Sequence, residues 1–170
     1  GLPPSGDLWL NRQSTIASSG REIASITIRA GNLYMDQAIA FMYHTGENPD
    51  GILDIEVADT LHMMDGSSLL TLTEGNGDGG GIQIRAGTLI MDEVSQIGTI
   101  TYGSGRAGDL SLSVARSATF SGKDENNYRS GVFTQTTAGG SSGRIVIEAP
   151  LLTLSDGAQI YLAGNTSTGP

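Results

Sequence analysis

Five stretches of alternating polar and apolar residues recur at nearly constant spacing, and this period constrains the fold more than any other feature of the sequence. The stretches are ITIRAGNLYM (26–35), LDIEVADTLHM (53–63), IQIRAGTLIM (82–91), LSLSVARSATF (110–120) and IVIEAPLLTL (145–154). Their second apolar positions are residues 28, 55, 84, 112 and 147, so the spacings are 27, 29, 28 and 35 residues. A repeat of this length is typical of solenoid proteins.

The strands of one unit are expected to pair with their copies in the next unit. No two-residue turn of the Asn-Gly kind joins them into a hairpin. The remaining arrangement is parallel stacking of equivalent strands at about 4.8 Å per coil. The sequence therefore predicts an all-β parallel β-helix of about five to six coils. The expected inward positions are Ile26, Ile28, Leu53, Ile55, Ile82, Ile84, Leu110, Leu112, Ile145 and Ile147.

A third strand in each unit is expected after a turn. The equivalent apolar position that follows the turn is predicted at Ile16, Ile39, Leu69, Ile97, Val132 and Ile160. The segment MDQAIAFMYH (35–44) also fits a helix, but a helix there would break the repeat, so we predict a strand. The chain starts partway through a unit and shows no polar cap at either end. Residues 1–170 are therefore interpreted as one β-helix domain, cut from a longer array.

Glycine accounts for 25 of the 170 residues and is expected at the corners of the coils. Gly, Asn and Asp adopt positive φ more readily than other residues. This preference is the predicted reason for MDGS (64–67), for SDGA (155–158) and for the glycine-rich segments before each Ile-x-Ile run.

The composition of the chain excludes several classes of partner and of chemistry. The net charge is −9 and Lys123 is the only lysine, so no basic patch is expected to attract nucleic acid. No apolar run approaches the roughly 20 residues of a membrane helix, and membrane insertion is not expected. The chain has no cysteine, which excludes disulfides and thiolate chemistry.

The sequence offers little for a metal site. Acidic or amide residues recur after the second strand, at Asn11, Asp36, Asp65, Asp92 and Asp156, and stacking is expected to align them along one edge. Calcium would suit such oxygen ligands, but we favour a role in capping their own turns. His44 and His62 lack a metal-ligand spacing. No metal and no cofactor are therefore predicted.

Catalysis has one plausible location. The insertion SGKDENNYRSG (121–131) concentrates charged and polar groups, namely Lys123, Asp124, Glu125, Tyr128 and Arg129. Loops of this composition are usually solvated, and the chain is interpreted as non-catalytic.

Two outward rows follow from the alternation. The first places Arg29, Glu56 and Arg85 side by side, which predicts a ladder of opposite charges. The second row, which we call the aromatic stripe, starts with Trp9, Tyr34, His62 and Ile90 and continues through Thr119 and Thr153. Flat aromatic faces suit sugar rings or a protein partner, so the stripe is the predicted binding surface.

The segments ITIRAGNL, GIQIRAGTLIM, TYGSGRAGDLSLSVARSATFSG and SGVFTQTTAGGSSGRIVIEAPLLTLSDGAQI together resemble the repeat region of filamentous haemagglutinin-like exoproteins of bacterial two-partner secretion. The resemblance implies a right-handed parallel β-helix that is exported to the extracellular space or the bacterial cell surface. It also implies adhesion, to a host or sister-cell surface, through a glycan or a protein. Two alternatives stay open, namely a carbohydrate-active β-helix enzyme and a filament subunit that associates end to end.

Overall fold

The computed structural model describes residues 5–21, 25–47 and 51–164. These residues form strands and no helix, and the strands in chain order are β1 (Asp7–Asn11), β2 (Thr15–Gly20), β3 (Ile26–Ala30), β4 (Asn32–Asp36), β5 (Ile39–His44), β6 (Ile52–Met64), β7 (Ser68–Thr73), β8 (Gly81–Met91), β9 (Gln96–Thr101), β10 (Leu110–Ser121), β11 (Gly131–Thr136), β12 (Ile145–Glu148), β13 (Leu152–Ser155) and β14 (Gln159–Ala163). Within the described residues, no helix has the length and apolarity needed to cross a membrane.

The strands form three walls that wind into a β-solenoid of about five turns. The first wall contains β3, the first halves of β6, β8 and β10, and β12. The second wall contains β1, β4, the second halves of the same long strands, and β13. The third wall contains β2, β5, β7, β9, β11 and β14. All these strand pairs are parallel and join successive coils, as the period predicts; the right-handed sense stays a prediction.

The core consists of like residues stacked along the axis. Ile28 pairs in register with Ile55, and Ile55 pairs with Ile84. The same inward row continues through Leu112 to Ile147. The inward positions predicted for the first wall are therefore confirmed. Because each apolar side chain packs against its copy in the next coil, the period itself generates a continuous core.

The third wall corrects one predicted position. Residues 39–44 form a strand and not a helix, as expected, but Ile16 and Leu69 both pair with Ala40 and not with Ile39. Ala40 is fully buried, whereas Ile39 is 39% exposed. The corner before β5 is one residue shorter than the equivalent corner before β7, so the inward row moves by one position.

The Asp-Gly corners adopt the predicted backbone conformation. Asp65 and Gly66 have φ values of 53° and 77°, and Asp156 and Gly157 have 50° and 85°. In the first of these turns the N–H of Ser67 donates to the carbonyl oxygen of Met64 at 3.1 Å. Two positive φ values in a four-residue turn define type I′, in which Asp-Gly is favoured.

The glycine-rich segments before the first wall have a different explanation from the predicted one. Of the glycines between residues 75 and 81, 103 and 108, and 139 and 143, only Gly139 has a positive φ. Most of the others stack on glycines of the neighbouring coil. A Cβ on Gly108 would overlap the carbonyl oxygen of Gly80, and one on Gly143 would overlap that of Gly108. Close approach of backbones therefore requires glycine here, and conformational freedom does not.

Buried threonines tie the third wall to this glycine stack. Thr71 donates its hydroxyl to the carbonyl oxygen of Gly80 at 2.6 Å, and Thr99 donates to Gly108 at 2.8 Å. Thr134 repeats the bond with Gly143 at 3.3 Å. A buried carbonyl without a partner is costly, so each threonine satisfies a backbone group that the glycine stack leaves inside the coil.

Candidate functional site

The aromatic stripe exists as predicted. Trp9 pairs in register with Tyr34, Tyr34 with His62, and His62 with Ile90. The row continues through Thr119 and Thr153. These residues lie on the outer surface of the second wall because their neighbours along each strand, such as Leu33 and Met35, are fully buried in the core.

The first two rings of the stripe form a stacked pair. The ring centroids of Trp9 and Tyr34 lie 4.1 Å apart, and their planes differ by 19°. Trp9 is 57% exposed, whereas Tyr34, His62 and Ile90 are only partly exposed. One flat ring therefore faces solvent while the other supports it from the next coil.

His62 is held in place by a carboxylate. Its Nε2 lies 3.0 Å from Oδ2 of Asp92, which follows β8. Since Asp92 is in the coil that follows His62, this contact joins two coils on the surface. The imidazole thereby keeps a defined orientation next to the stacked pair.

Polar groups run parallel to the stripe on one side. The side-chain amide of Asn32 donates to Oδ1 of Asp7 at 2.8 Å, and its oxygen accepts the backbone N–H of Thr60 at 3.1 Å. A sugar presents an apolar ring face and a rim of hydroxyl groups. Aromatic faces flanked by amide and carboxylate groups match that chemistry.

The predicted charge ladder is confirmed and includes one residue that the sequence reading missed. Nε of Arg29 lies 3.1 Å from Oε2 of Glu56, and Nη2 of Arg85 lies 3.5 Å from the same oxygen. Asp54 also pairs with both arginines, at 3.1 Å from Arg85. Its side chain is 17% exposed and that of Glu56 is 40% exposed, so Asp54 is the better shielded acceptor. Asp54 lies two residues before Glu56, so the alternation of the strand already indicated that both carboxylates point outward.

An open groove of about 420 Å³ lies beside this ladder, where the first wall bends into the second. Small residues contribute to its lining, together with Glu56, Arg85 and a further arginine, Arg116. Arg116 pairs with Asp59, and its Nε donates to Oγ1 of Thr88 at 3.1 Å. Each of the two arginines that line the groove is thus already paired with a carboxylate.

The predicted line of corner carboxylates does not form one row. Asp36 pairs in register with Met64, so an apolar residue separates it from Asp92, while Asp65 and Asp156 occupy the next corner position. Asp65 accepts a hydrogen bond from the side chain of Gln37 at 2.6 Å. Within the described residues, no three His, Cys, Asp or Glu side chains come close enough to hold a metal ion.

Charged residues of the 121–131 loop form hydrogen bonds both within the loop and to the next coil. Oδ1 of Asp124 accepts the backbone N–H of Tyr128 at 2.8 Å, and Nη1 of Arg129 donates to the carbonyl oxygen of Gly157 at 3.0 Å.

The two histidines do not lie close together, since His44 points into the core of the third wall and His62 lies on the outer surface of the second wall. Burial lowers the pKa of His44.

The outer surface of the third wall is an apolar surface that sequence reasoning missed. Its outward side chains include Phe41, Leu70, Leu72, Ile100, Phe133 and Tyr161. None of the residues in its six strands is Asp, Glu, Lys or Arg. Segments such as SLLTLT carried the signal, because apolar residues occur there at both alternating positions. We call this surface the uncharged face.

Comparisons of the chain with protein-family models, with curated proteins and with solved structures gave no match.

Proposed function

We propose that this β-solenoid is an extracellular adhesive segment that binds surface glycans along the aromatic stripe. The stacked pair of Trp9 and Tyr34 carries the proposal, because it places an exposed flat ring at 57% exposure on a rigid wall. A ring supported by a second ring loses little conformational entropy when a ligand packs on it. The proposal agrees with the resemblance to filamentous haemagglutinin-like exoproteins.

Rigidity supports the same proposal. The walls stack coil on coil, and backbone hydrogen bonds run along the axis in every strand pair. A structure of this kind transmits force along its length and presents repeated surface positions at about 4.8 Å. These are the properties expected of a stalk that also displays a binding surface.

The test is retention on a broad glycan array. The wild-type chain is compared with a variant in which Trp9 and Tyr34 are both alanine. Each aromatic contact contributes about 0.5 to 1.5 kcal/mol, so loss of both rings should weaken binding by roughly 5- to 150-fold. Tyr128→Ala is the matched control, because this loop tyrosine is 63% exposed and lies outside the stripe.

Circular dichroism and thermal melting establish that each variant is folded. Retention that survives the double substitution would refute the stripe as the adhesive surface. Absence of retention for all three proteins would leave the stalk role and remove the binding role.

A further inference from the structure

We infer that the uncharged face is a docking surface for a second copy of this chain, so that two solenoids pack laterally, third wall against third wall. This contact is separate from glycan binding by the stripe and from stacking of coil ends. Three properties of the face carry the inference, namely its side chains, its charge and its area.

The side chains of this face are apolar and closely packed. Phe133 lies over Gly98 of the neighbouring coil, since a Cβ on Gly98 would overlap its ring. On its other side Phe133 stacks on Tyr161, with ring centroids 5.2 Å apart and planes 9° apart. Phe133 is only 5% exposed although it points outward. The ring of Phe133 is thus covered by Gly98 on one side and by Tyr161 on the other, so this part of the face is held in one arrangement.

The distribution of charge selects a second copy as the occupant. The chain carries 18 acidic and 9 basic residues and a net charge of −9, yet none of these residues lies in a strand of the third wall. Two copies that meet through this wall keep their repelling charges on the far sides. A charged partner would find nothing here to recognise, because electrostatic complementarity needs opposite charge on the surface it meets.

The rim of the face fits the same occupant. Uncharged polar residues, among them Ser68, Gln96 and Gln135, border the apolar centre at outward positions. Glu74, just beyond the end of β7, hydrogen-bonds Tyr43 and raises the pKa of its phenol. An apolar centre with a polar rim is the usual anatomy of a protein–protein interface, and a two-fold axis would pair the face with itself.

The area is at the lower limit for a specific interface. Six strands at about 4.8 Å and six residues at about 3.3 Å give a face of roughly 500 to 600 Å². Two such faces bury about 1,000 to 1,200 Å² in total, which is close to the minimum for a specific contact. We therefore expect a weak, concentration-dependent dimer.

Sedimentation equilibrium over a concentration series tests the inference. The expected result is a monomer–dimer equilibrium that strengthens as salt is raised, because salt screens the repulsion between two chains of charge −9. Leu72→Lys should abolish the dimer, since it places a charge on each face. Val146→Lys is the matched control on the outside of the first wall and should leave the dimer intact.

A second measurement does not depend on a disruptive substitution. The chain has no cysteine, so Leu72→Cys creates a single thiol on the face. Mild oxidation should crosslink this variant into dimers, and the Val146→Cys variant should crosslink far less.

Three results of the sedimentation experiments would overturn the inference. They are a monomer at every concentration, equal loss of the dimer in both lysine variants, and open-ended polymers in place of a closed dimer. A binding experiment gives a further test. If the monomeric chain is retained on a neutral polysaccharide and Leu72→Lys abolishes this retention, the face binds a glycan and the inference is overturned.

Discussion

The glycine stack offers the sharpest test of how this sequence encodes its fold. Gly108 is buried, and a Cβ added there would overlap the carbonyl oxygen of Gly80 in the preceding coil. The coils must therefore separate locally to accept Gly108→Ala. That movement also disturbs the hydrogen bond from Thr99 to the carbonyl oxygen of Gly108, which is 2.8 Å long.

The expected magnitude follows from these two contacts. Overpacking of a tight interior costs about 1 to 3 kcal/mol, and a weakened buried hydrogen bond costs about 1 kcal/mol. Gly108→Ala should therefore lower the free energy of unfolding by about 2 to 4 kcal/mol. For a chain of this length the melting temperature should fall by about 4 to 16 °C.

Gly66→Ala is the matched control because it isolates the backbone conformation. Gly66 has a φ of 77°, and an added Cβ would meet nothing within 4 Å. Only the left-handed conformation is penalised, at about 1 kcal/mol, so the melting temperature should fall by about 2 to 4 °C. Urea unfolding and calorimetry measure both variants. If Gly108→Ala costs no more than Gly66→Ala, close approach is not the reason for the glycine repeats.

Three further predictions concern other parts of the coil. Burial lowers the pKa of His44 in the folded chain. The imidazole of the unfolded chain therefore takes up a proton at a higher pH than the folded chain does. The free energy of unfolding should decrease as the pH falls below about 6.5, the usual pKa of histidine. Thermal melting between pH 7.5 and 5 should show this loss, and it should be smaller in His44→Gln. Reversing the ladder with Glu56→Arg should lower the free energy of unfolding by only a few tenths of a kcal/mol, because Asp54 still pairs with both arginines; a rise in melting temperature would contradict the ladder. Val94 is β-branched and has a φ of 70°, a strained combination, so Val94→Gly should raise the melting temperature by about 1 to 3 °C, and a decrease would show that its side-chain packing outweighs the strain.

The period of the sequence was enough to predict the coils, the core and the outward rows. Alternation places each second residue inside, and repeats of nearly equal length bring equivalent residues into register. The pairing of Arg29 with Glu56 and of Trp9 with Tyr34 therefore followed from counting residues. That the stripe binds a ligand stays a prediction, because position on a wall does not identify what contacts it.

Other features depended on the tertiary structure because they arise between coils or walls. The shift from Ile39 to Ala40 came from a corner that is one residue shorter, which a repeat with variable turns conceals. The glycine repeats were visible in the sequence, but their cause is the distance between neighbouring backbones, and only assembled coils have such a distance. The uncharged face is likewise spread over six strands far apart in the sequence, so its size and lack of charge emerge only once the chain is wound.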